Sequence, residues 1–150
     1  MASIETLNAN MAHWKERGKQ EANSFDKFIF YWIAFNCFYS KKTQLSQESK
    51  IIEILQDDKS IDELFRKLIV GKEEMLKNLK NKCPILDERP DHQGEKIEMP
   101  EFTFKEILPV IYQIRCNLFH GNKSGDSQRD KDVITAALPV LELLVDNLCQ

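Results

Sequence analysis

The chain has 150 residues, which fits one domain with a hydrophobic core large enough to fold without disulfide bonds. Its net charge of −3 at pH 7 excludes a strong overall attraction for nucleic acid, so RNA or DNA binding would need a local patch or a groove between two subunits. The four cysteines are widely spaced and form no Cys-x-x-Cys pattern, which is typical of reduced thiols. The first residues include Glu5 and no apolar signal core, so we expect a single cytoplasmic domain over residues 1–150.

Turn signals divide the chain into helical segments, and no stretch has the alternating pattern of a convincing strand. Apolar spacing and capping residues predict helices over residues 4–19, 24–41, 47–57, 60–71 with a short polar continuation over 72–81, 103–120 and 130–148. The predicted N-caps are Ser24, Ser60 with Glu63, Thr103 with Glu106, and Asp130. The sequence therefore predicts an all-α, single-domain bundle of five to six helices.

Prolines mark two irregular places in this pattern. Residues 83–100 hold three prolines, a glycine and many charges, which predicts a surface loop longer than the usual connection. Pro109 lies inside the following helix, so we expect it to bend the first turns or to delay the start of that helix.

The second helix is apolar on nearly all of its faces. Its run FIFYWIAFNCFY, residues 28–39, is shorter than the roughly 20 residues that cross a bilayer, so we expect a buried helix and no membrane partner. Such a helix either lies at the centre of the bundle or is covered by a second chain, and the second arrangement predicts a homodimer. Asn36 interrupts this surface and needs hydrogen-bond partners, either on the helix that carries Arg115 or across a dimer axis.

The segment IRCNLFHG, residues 114–121, places Arg115 and His120 near the end of an apolar helix. At about 100° per residue, Arg115 lies inside the apolar stripe of that helix. Its guanidinium cannot lose a proton there, so it needs a carboxylate, carbonyl groups, a partner subunit or an anionic ligand. Gly121 is typical of a helix end, which would leave His120 accessible in the last turn.

The same two residues suit phosphate chemistry. His120 can hold either protonation state near neutral pH, and Arg115 can bind a phosphate through its planar fork. An ideal helix separates the two by roughly 140°, so two such helices facing each other across a dimer axis would combine them better than one chain. Lys123 and Arg129 follow closely and would be either solvated or bound to a nucleic-acid backbone.

The sequence predicts no metal site and no cofactor. His92 has Asp91 and Glu95 as neighbours, but no ligand set of the right type and spacing converges, so we expect a solvated loop. The chain has no glycine-rich phosphate loop and no His-Glu-x-x-His pattern.

Arg115-Cys-Asn-Leu-Phe-His120 has an arginine, four residues and a histidine near the end of the penultimate long helix, and Gly-Asn-Lys-Ser follows. Far upstream the chain has Trp32-Ile-Ala-Phe-Asn36. In this combination the chain resembles the HEPN (higher eukaryote and prokaryote nucleotide-binding) domains, small helical bundles marked by Arg, four to six residues and His. It is most similar to their Apea-like, RNase-associated branch.

The resemblance implies a metal-independent endoribonuclease, often acting in toxin–antitoxin or antiphage systems as a homodimer with both motifs in one cleft. His120 would help the RNA 2′-hydroxyl attack the adjacent phosphate, Arg115 would stabilise the developing charge, and Asn117 would orient either group. The candidate substrate-binding residues are Asn36, Lys123 and Arg129. The implied partners are RNA, a second copy of the chain, and an antitoxin or nucleotidyltransferase.

Two further functions stay open. Many active members of the family have a polar residue, often Asn, directly after the arginine, whereas this chain has Cys116 there and Asn117 next. This departure and the net negative charge leave a second function open, in which the chain is a noncatalytic module and Arg115 and His120 bind a nucleotide or a protein. A purely structural helical dimer is the third candidate.

Overall fold

The computed structural model describes residues 3–92, 94–119 and 127–149. Within these ranges the chain forms seven α-helices: α1 (Ile4–Gln20), α2 (Ser24–Thr43), α3 (Glu48–Gln56), α4 (Lys59–Leu68), α5 (Glu73–Lys80), α6 (Phe104–Leu118) and α7 (Gln128–Leu148). Two short antiparallel strands, β1 (Ile85–Leu86) and β2 (Lys96–Ile97), flank a 3₁₀ helix at Pro90–His92. The predicted all-α, single-domain class is confirmed. The helix count exceeds the prediction because α4 and α5 are separate helices.

The helix α2 forms the centre of the core, with α1 and α7 packed along it. Phe28, Ala34 and Phe35 of α2 are inaccessible to solvent. The sequence allowed α2 to lie at the centre of the bundle or to be covered by a second chain. The structure shows the first arrangement, in which most of the apolar surface of α2 is covered within one chain. That surface therefore gives no reason to expect a second chain. None of the described helices is long and apolar enough to span a membrane.

A glycine allows α1 to approach α2 closely. A Cβ atom at Gly18 would lie 2.8 Å from the ring of Tyr31, which is itself buried. Nearby, the ring of Trp14 stacks on that of Phe30 with 5.5 Å between their centroids. The absence of a side chain at Gly18 thus sets the separation of the two helices.

The N-caps of three helices differ from the prediction. Asn23, Asp58 and Ser127 cap α2, α4 and α7, where the sequence analysis predicted Ser24, Ser60 and Asp130. At α4, a carboxylate oxygen of Asp58 accepts hydrogen bonds from the Ile61 amide at 3.0 Å and from the Ser60 hydroxyl at 2.6 Å. Ser60 therefore supports the capping residue instead of being one, since a carboxylate is the stronger acceptor at a helix N-terminus.

The helix α6 begins at Phe104, so Pro109 does not delay its start. The predicted cap is confirmed, because the Thr103 hydroxyl accepts a hydrogen bond from the Glu106 amide at 3.3 Å. Pro109 has no N–H to donate to the carbonyl of Lys105, four residues earlier. Instead, Nε2 of Gln56, the last residue of α3, donates to that carbonyl at 2.8 Å. A side chain from another helix thus replaces the hydrogen bond that proline removes.

The segment predicted as a surface loop, residues 83–100, lies largely at the surface but contains a short hairpin that packs on the bundle. Ile85, Asp87 and Met99 are buried, and the strand pair lies against α6. The segment packs because alternate residues of a strand point to opposite sides, so Ile85 faces the bundle and Leu86 faces solvent, while the buried carboxylate of Asp87 is paired with Arg89. The strands have only two residues each, too few to produce a recognisable pattern in the sequence.

Candidate functional site

Arg115 lies in the last turn of α6, and its guanidinium faces the first residue of α3. Nη1 of Arg115 is 3.1 Å from Oε1 of Glu48, with about a quarter of each side chain exposed. The guanidinium carbon also lies 4.7 Å from the centre of the Phe119 ring. The carboxylate that a partly buried arginine requires is therefore Glu48. Sequence reasoning missed this residue, because 67 positions separate the two and no local pattern links them.

Glu48 is in turn held by α2. The Tyr39 hydroxyl donates a hydrogen bond to Oε2 of Glu48 and accepts one from Nδ2 of Asn36 at 2.7 Å. Burial, and then the Glu48 carboxylate, raise the pKa of Tyr39 above its ordinary value, so its hydroxyl stays protonated and donates. Asn36 thus reaches the helix of Arg115 through two intervening side chains. One polar chain links Asn36, Tyr39, Glu48 and Arg115 across three helices.

One edge of the Arg115 guanidinium is not used by this chain of contacts. Nε of Arg115 is buried and has no hydrogen-bond acceptor among the described residues. The indole nitrogen of Trp32 is likewise buried without an acceptor, and the Trp32 ring lies 6.2 Å from that of Tyr112, about one turn before Arg115. Buried donors without acceptors are rare in folded proteins. The edge formed by Nε and Nη2 has the planar geometry that binds a phosphate or carboxylate through two hydrogen bonds.

The residue after Arg115 is not presented to solvent. Cys116 is only 6% exposed, and burial, followed by Cys116, raises the pKa of Tyr112 above its ordinary value. Its sulfur lies 4.0 Å from Nη1 of Arg115, where a thiol is a weak acceptor. The departure from the resembled motif therefore lies in the packed interior of the bundle.

Asn117 faces a different element of the fold. Its Oδ1 accepts hydrogen bonds from the Glu88 amide at 3.0 Å and from Nε2 of Gln113 at 2.9 Å, and its Nδ2 donates to the Leu86 carbonyl at 2.7 Å. Two residues along a helix correspond to about 200°, so Asn117 and Arg115 lie on nearly opposite sides of α6. The amide of Asn117 fastens the hairpin to the helix, and the structure does not bring it to the guanidinium.

Arg129 lies on the Asn117 side as well. Its Nη2 donates to the carbonyl of Lys82 at 2.6 Å, although the side chain is exposed. Arg129 and Asn117 both line a cavity of about 350 Å³, whose apolar walls include Ile85, Ile114 and Val133. Of the candidate residues, the structure therefore places Arg115 with Asn36, and Asn117 with Arg129.

The remaining two candidates, His120 and Lys123, lie outside the described residues. His120 directly follows Phe119, whose ring lies against Arg115. A role for His120 is therefore an expectation from the sequence motif, in which it lies five positions after Arg115.

The hairpin does bring a possible ligand set together. Side-chain atoms of Asp87, His92 and Glu95 lie within 4.8 Å of one another, with Asp87 in the place that the sequence analysis considered for Asp91. Hydrogen bonds from Arg89, at 2.6 and 2.9 Å, lower the pKa of Asp87 below its usual value and neutralise its charge. These residue types could hold Zn²⁺ or Mn²⁺, but the Arg89 guanidinium already occupies both carboxylate oxygens of Asp87.

Comparisons with protein-family models, with curated proteins and with solved structures gave no match to this chain, so its resemblance to the HEPN domains remains a prediction from the motif.

Proposed function

We propose that the chain is a metal-independent endoribonuclease of the HEPN type, acting in a toxin–antitoxin or antiphage system. The observation that carries this proposal is the guanidinium of Arg115, which is held at the end of α6 and whose buried Nε has no acceptor in the part of the chain that the structure describes. The non-bridging oxygens of a phosphodiester group are acceptors of the kind that a guanidinium binds. The motif histidine follows five residues later, so an anion-binding group and an acid–base group lie on one segment.

In the proposed reaction, His120 takes the proton from a ribose 2′-hydroxyl, and the 2′-oxygen attacks the adjacent phosphorus. The bond to the 5′-oxygen breaks, and that oxygen leaves with a proton from a general acid or water. Arg115 stabilises the charge on the non-bridging oxygens, which grows in the transition state. The products are a 2′,3′-cyclic phosphate and a 5′-hydroxyl. Asn117 acts indirectly, by fixing the hairpin against α6.

We further propose that the active form is a homodimer. The resemblance to the HEPN domains, in which the motifs of two chains share one cleft, supports this proposal, because a two-fold axis would bring the arginine of one chain to the histidine of the other. An antitoxin or nucleotidyltransferase is the proposed protein partner. Sedimentation at micromolar concentration tests the dimer, and a clean monomer would contradict the composite site.

The second candidate is a noncatalytic module that binds a nucleotide or a protein. It is favoured by the Glu48 carboxylate, which already balances the charge of Arg115. In this function an anion or acidic peptide would exchange with Glu48, and no bond would be cleaved.

One experiment separates the two candidates. The purified protein is incubated with a mixed RNA pool in excess EDTA, and with an oligonucleotide carrying a single 2′-deoxy substitution at a mapped cut site. We expect cleavage in EDTA that leaves a cyclic phosphate, is blocked at the deoxy position and is lost in the R115A/H120A double variant. Cleavage at the deoxy position, or activity only with added metal, contradicts the mechanism. Binding that requires Arg115 without any cleavage favours the noncatalytic module.

A further inference from the structure

The guanidinium of Arg115 is fixed through one nitrogen only. Glu48 contacts Nη1, and Nε on the other side has no acceptor among the residues that the structure describes. An arginine has two planar edges that can bind an oxyanion, one formed by Nη1 and Nη2 and the other by Nε and Nη2. The Glu48 carboxylate occupies Nη1 of the first edge, and the second edge includes the buried Nε.

Glu48 is itself too well anchored to follow a moving arginine. Its second oxygen accepts the hydrogen bond of Tyr39, whose ring is 1% exposed. Asn36 donates to the same hydroxyl, and the Ser40 hydroxyl donates to Oδ1 of Asn36 at 3.3 Å. The carboxylate therefore has a fixed position relative to α2, and the arginine is held against it.

We propose that Glu48 is a positioning residue, which holds Nη1 of Arg115 and so fixes the orientation in which the guanidinium meets a phosphodiester group of RNA. This inference rests on the proposed ribonuclease function. Glu48 touches neither the RNA nor the reacting atoms; it acts through the orientation of Arg115. Tyr39 acts one step further away, through the orientation of Glu48.

The test compares three variants with the parent protein. E48A removes the contact, E48Q keeps an oxygen that can accept from Nη1 but removes the charge, and Y39F removes the anchor of Glu48. The matched control is E53Q, on the same helix, where Glu53 is exposed and pairs with Lys50 at 3.6 Å. Circular dichroism and the thermal midpoint establish that each variant is folded.

Two readouts are used. The first is kcat and KM for cleavage of a fluorogenic RNA. The second is the Nε–H signal of Arg115 in a ¹⁵N correlation spectrum, assigned by its loss in R115K. This signal is followed during titration with a four-nucleotide 2′-O-methyl RNA, which cannot be cleaved by 2′-hydroxyl attack.

In the parent we expect the Nε–H signal to shift on titration, and in E48A we expect that shift to be lost. We expect kcat to fall about 10- to 100-fold in E48A, because a misplaced guanidinium loses transition-state contacts. KM should change less than kcat. The kcat of E48Q should recover most of the loss, and that of Y39F should lie between the values of E48Q and E48A. The kcat of E53Q should equal that of the parent.

A folded E48A that keeps the parental kcat, or that cleaves faster, overturns the inference. An Nε–H signal in the parent that does not move with the RNA also overturns it. If the parent cleaves no RNA, the proposed function fails and the titration alone decides. A shift that is present in the parent and absent in E48A then supports the positioning role of Glu48 for a bound phosphodiester, and an equal shift in both proteins overturns it.

Discussion

The guanidinium of Arg115 lies 4.7 Å from the ring centre of Phe119, on the face where an aromatic ring attracts cations. Phe119 is also 48% exposed, an unusual position for a large apolar side chain. The ring therefore supports the arginine from one side while Glu48 holds it from another. Replacement by leucine keeps the apolar contact and removes the aromatic face. We expect F119L to fold normally and to lower kcat/KM roughly fivefold, which corresponds to about 1 kcal/mol of cation–π interaction. An unchanged kcat/KM would show that this contact has no part in the reaction.

Arg115→Lys tests whether charge alone is sufficient at this site. A lysine keeps the positive charge but has no planar fork, so it cannot bind a phosphate through Nε and Nη2. We expect cleavage to fall at least about 100-fold, with the helical circular dichroism retained. The control is R66K, because Arg66 lies on an exposed face of α4 and pairs with Asp62. Parental activity in R115K would mean that cleavage does not require the planar guanidinium of Arg115.

Asn117→Ala should mainly reduce stability. The change removes two hydrogen bonds that fasten the hairpin to α6 and one to Gln113 within α6, so we expect the free energy of unfolding to fall by about 2 to 3 kcal/mol. Urea denaturation of N117A measures this loss, with exposed Asn78 changed to alanine as the control. Cleavage per folded molecule should fall far less than in R115K. A stable but inactive N117A would instead return Asn117 to a catalytic role.

Gly18→Ala tests the close approach of α1 and α2. Alanine favours a helix by about 1 kcal/mol, but its Cβ atom would lie 2.8 Å from the buried ring of Tyr31. Because that ring has little room to move, we expect a net destabilisation of about 1 to 3 kcal/mol. Thermal unfolding of G18A measures it, and a raised midpoint would mean that the two helices separate easily.

The cap of α4 predicts a specific loss of stability in acid. Burial alone would raise the pKa of Asp58, but hydrogen bonds from Ser60 and the Ile61 amide, together with Lys42, outweigh it and lower the pKa to about 2. A carboxyl with a lowered folded pKa stabilises the fold above its unfolded pKa of about 4, and this contribution disappears as the pH falls to about 2. It amounts to about 2 kcal/mol at neutral pH.

The measurement is urea unfolding of D58N and the parent at pH 7 and at pH 2.5. Asparagine still caps a helix but cannot ionise. We expect D58N to be clearly less stable than the parent at pH 7 and the difference to shrink at pH 2.5. A difference that is equal at both pH values would exclude an ionic contribution from Asp58.

Much of the fold was predictable because the apolar spacing that marks a helix lies within one short stretch of sequence. The apolar spacing of α1, α2 and α7 placed these helices within a few residues, and Thr103 was correctly identified as a cap. The other caps were misplaced because adjacent Asn, Asp and Ser residues all suit a helix start, and only the backbone geometry selects among them.

The candidate site was only partly predictable. Sequence reasoning found that Arg115 needs an acceptor, since this follows from its place in an apolar stripe. It could not identify Glu48 or Tyr39, because tertiary packing brings them to α6 from distant parts of the chain. The resemblance gave Asn117 the role of orienting Arg115 or His120, whereas its place two residues after Arg115 puts it on nearly the opposite side of the helix.

Pro109 has a consequence far from its own turn. Pro109 cannot donate a hydrogen bond to the Lys105 carbonyl, so Gln56 donates instead and fixes the end of α3 to the beginning of α6. The start of α3 contacts the end of α6 through Glu48 and Arg115. The two contacts lock α3 antiparallel to α6 and prevent it from sliding by a turn. A proline near one end of α6 thereby sets the register in which an arginine at the other end meets its carboxylate. An incompletely folded chain has no such register, so the anchored arginine exists only once the whole bundle has assembled.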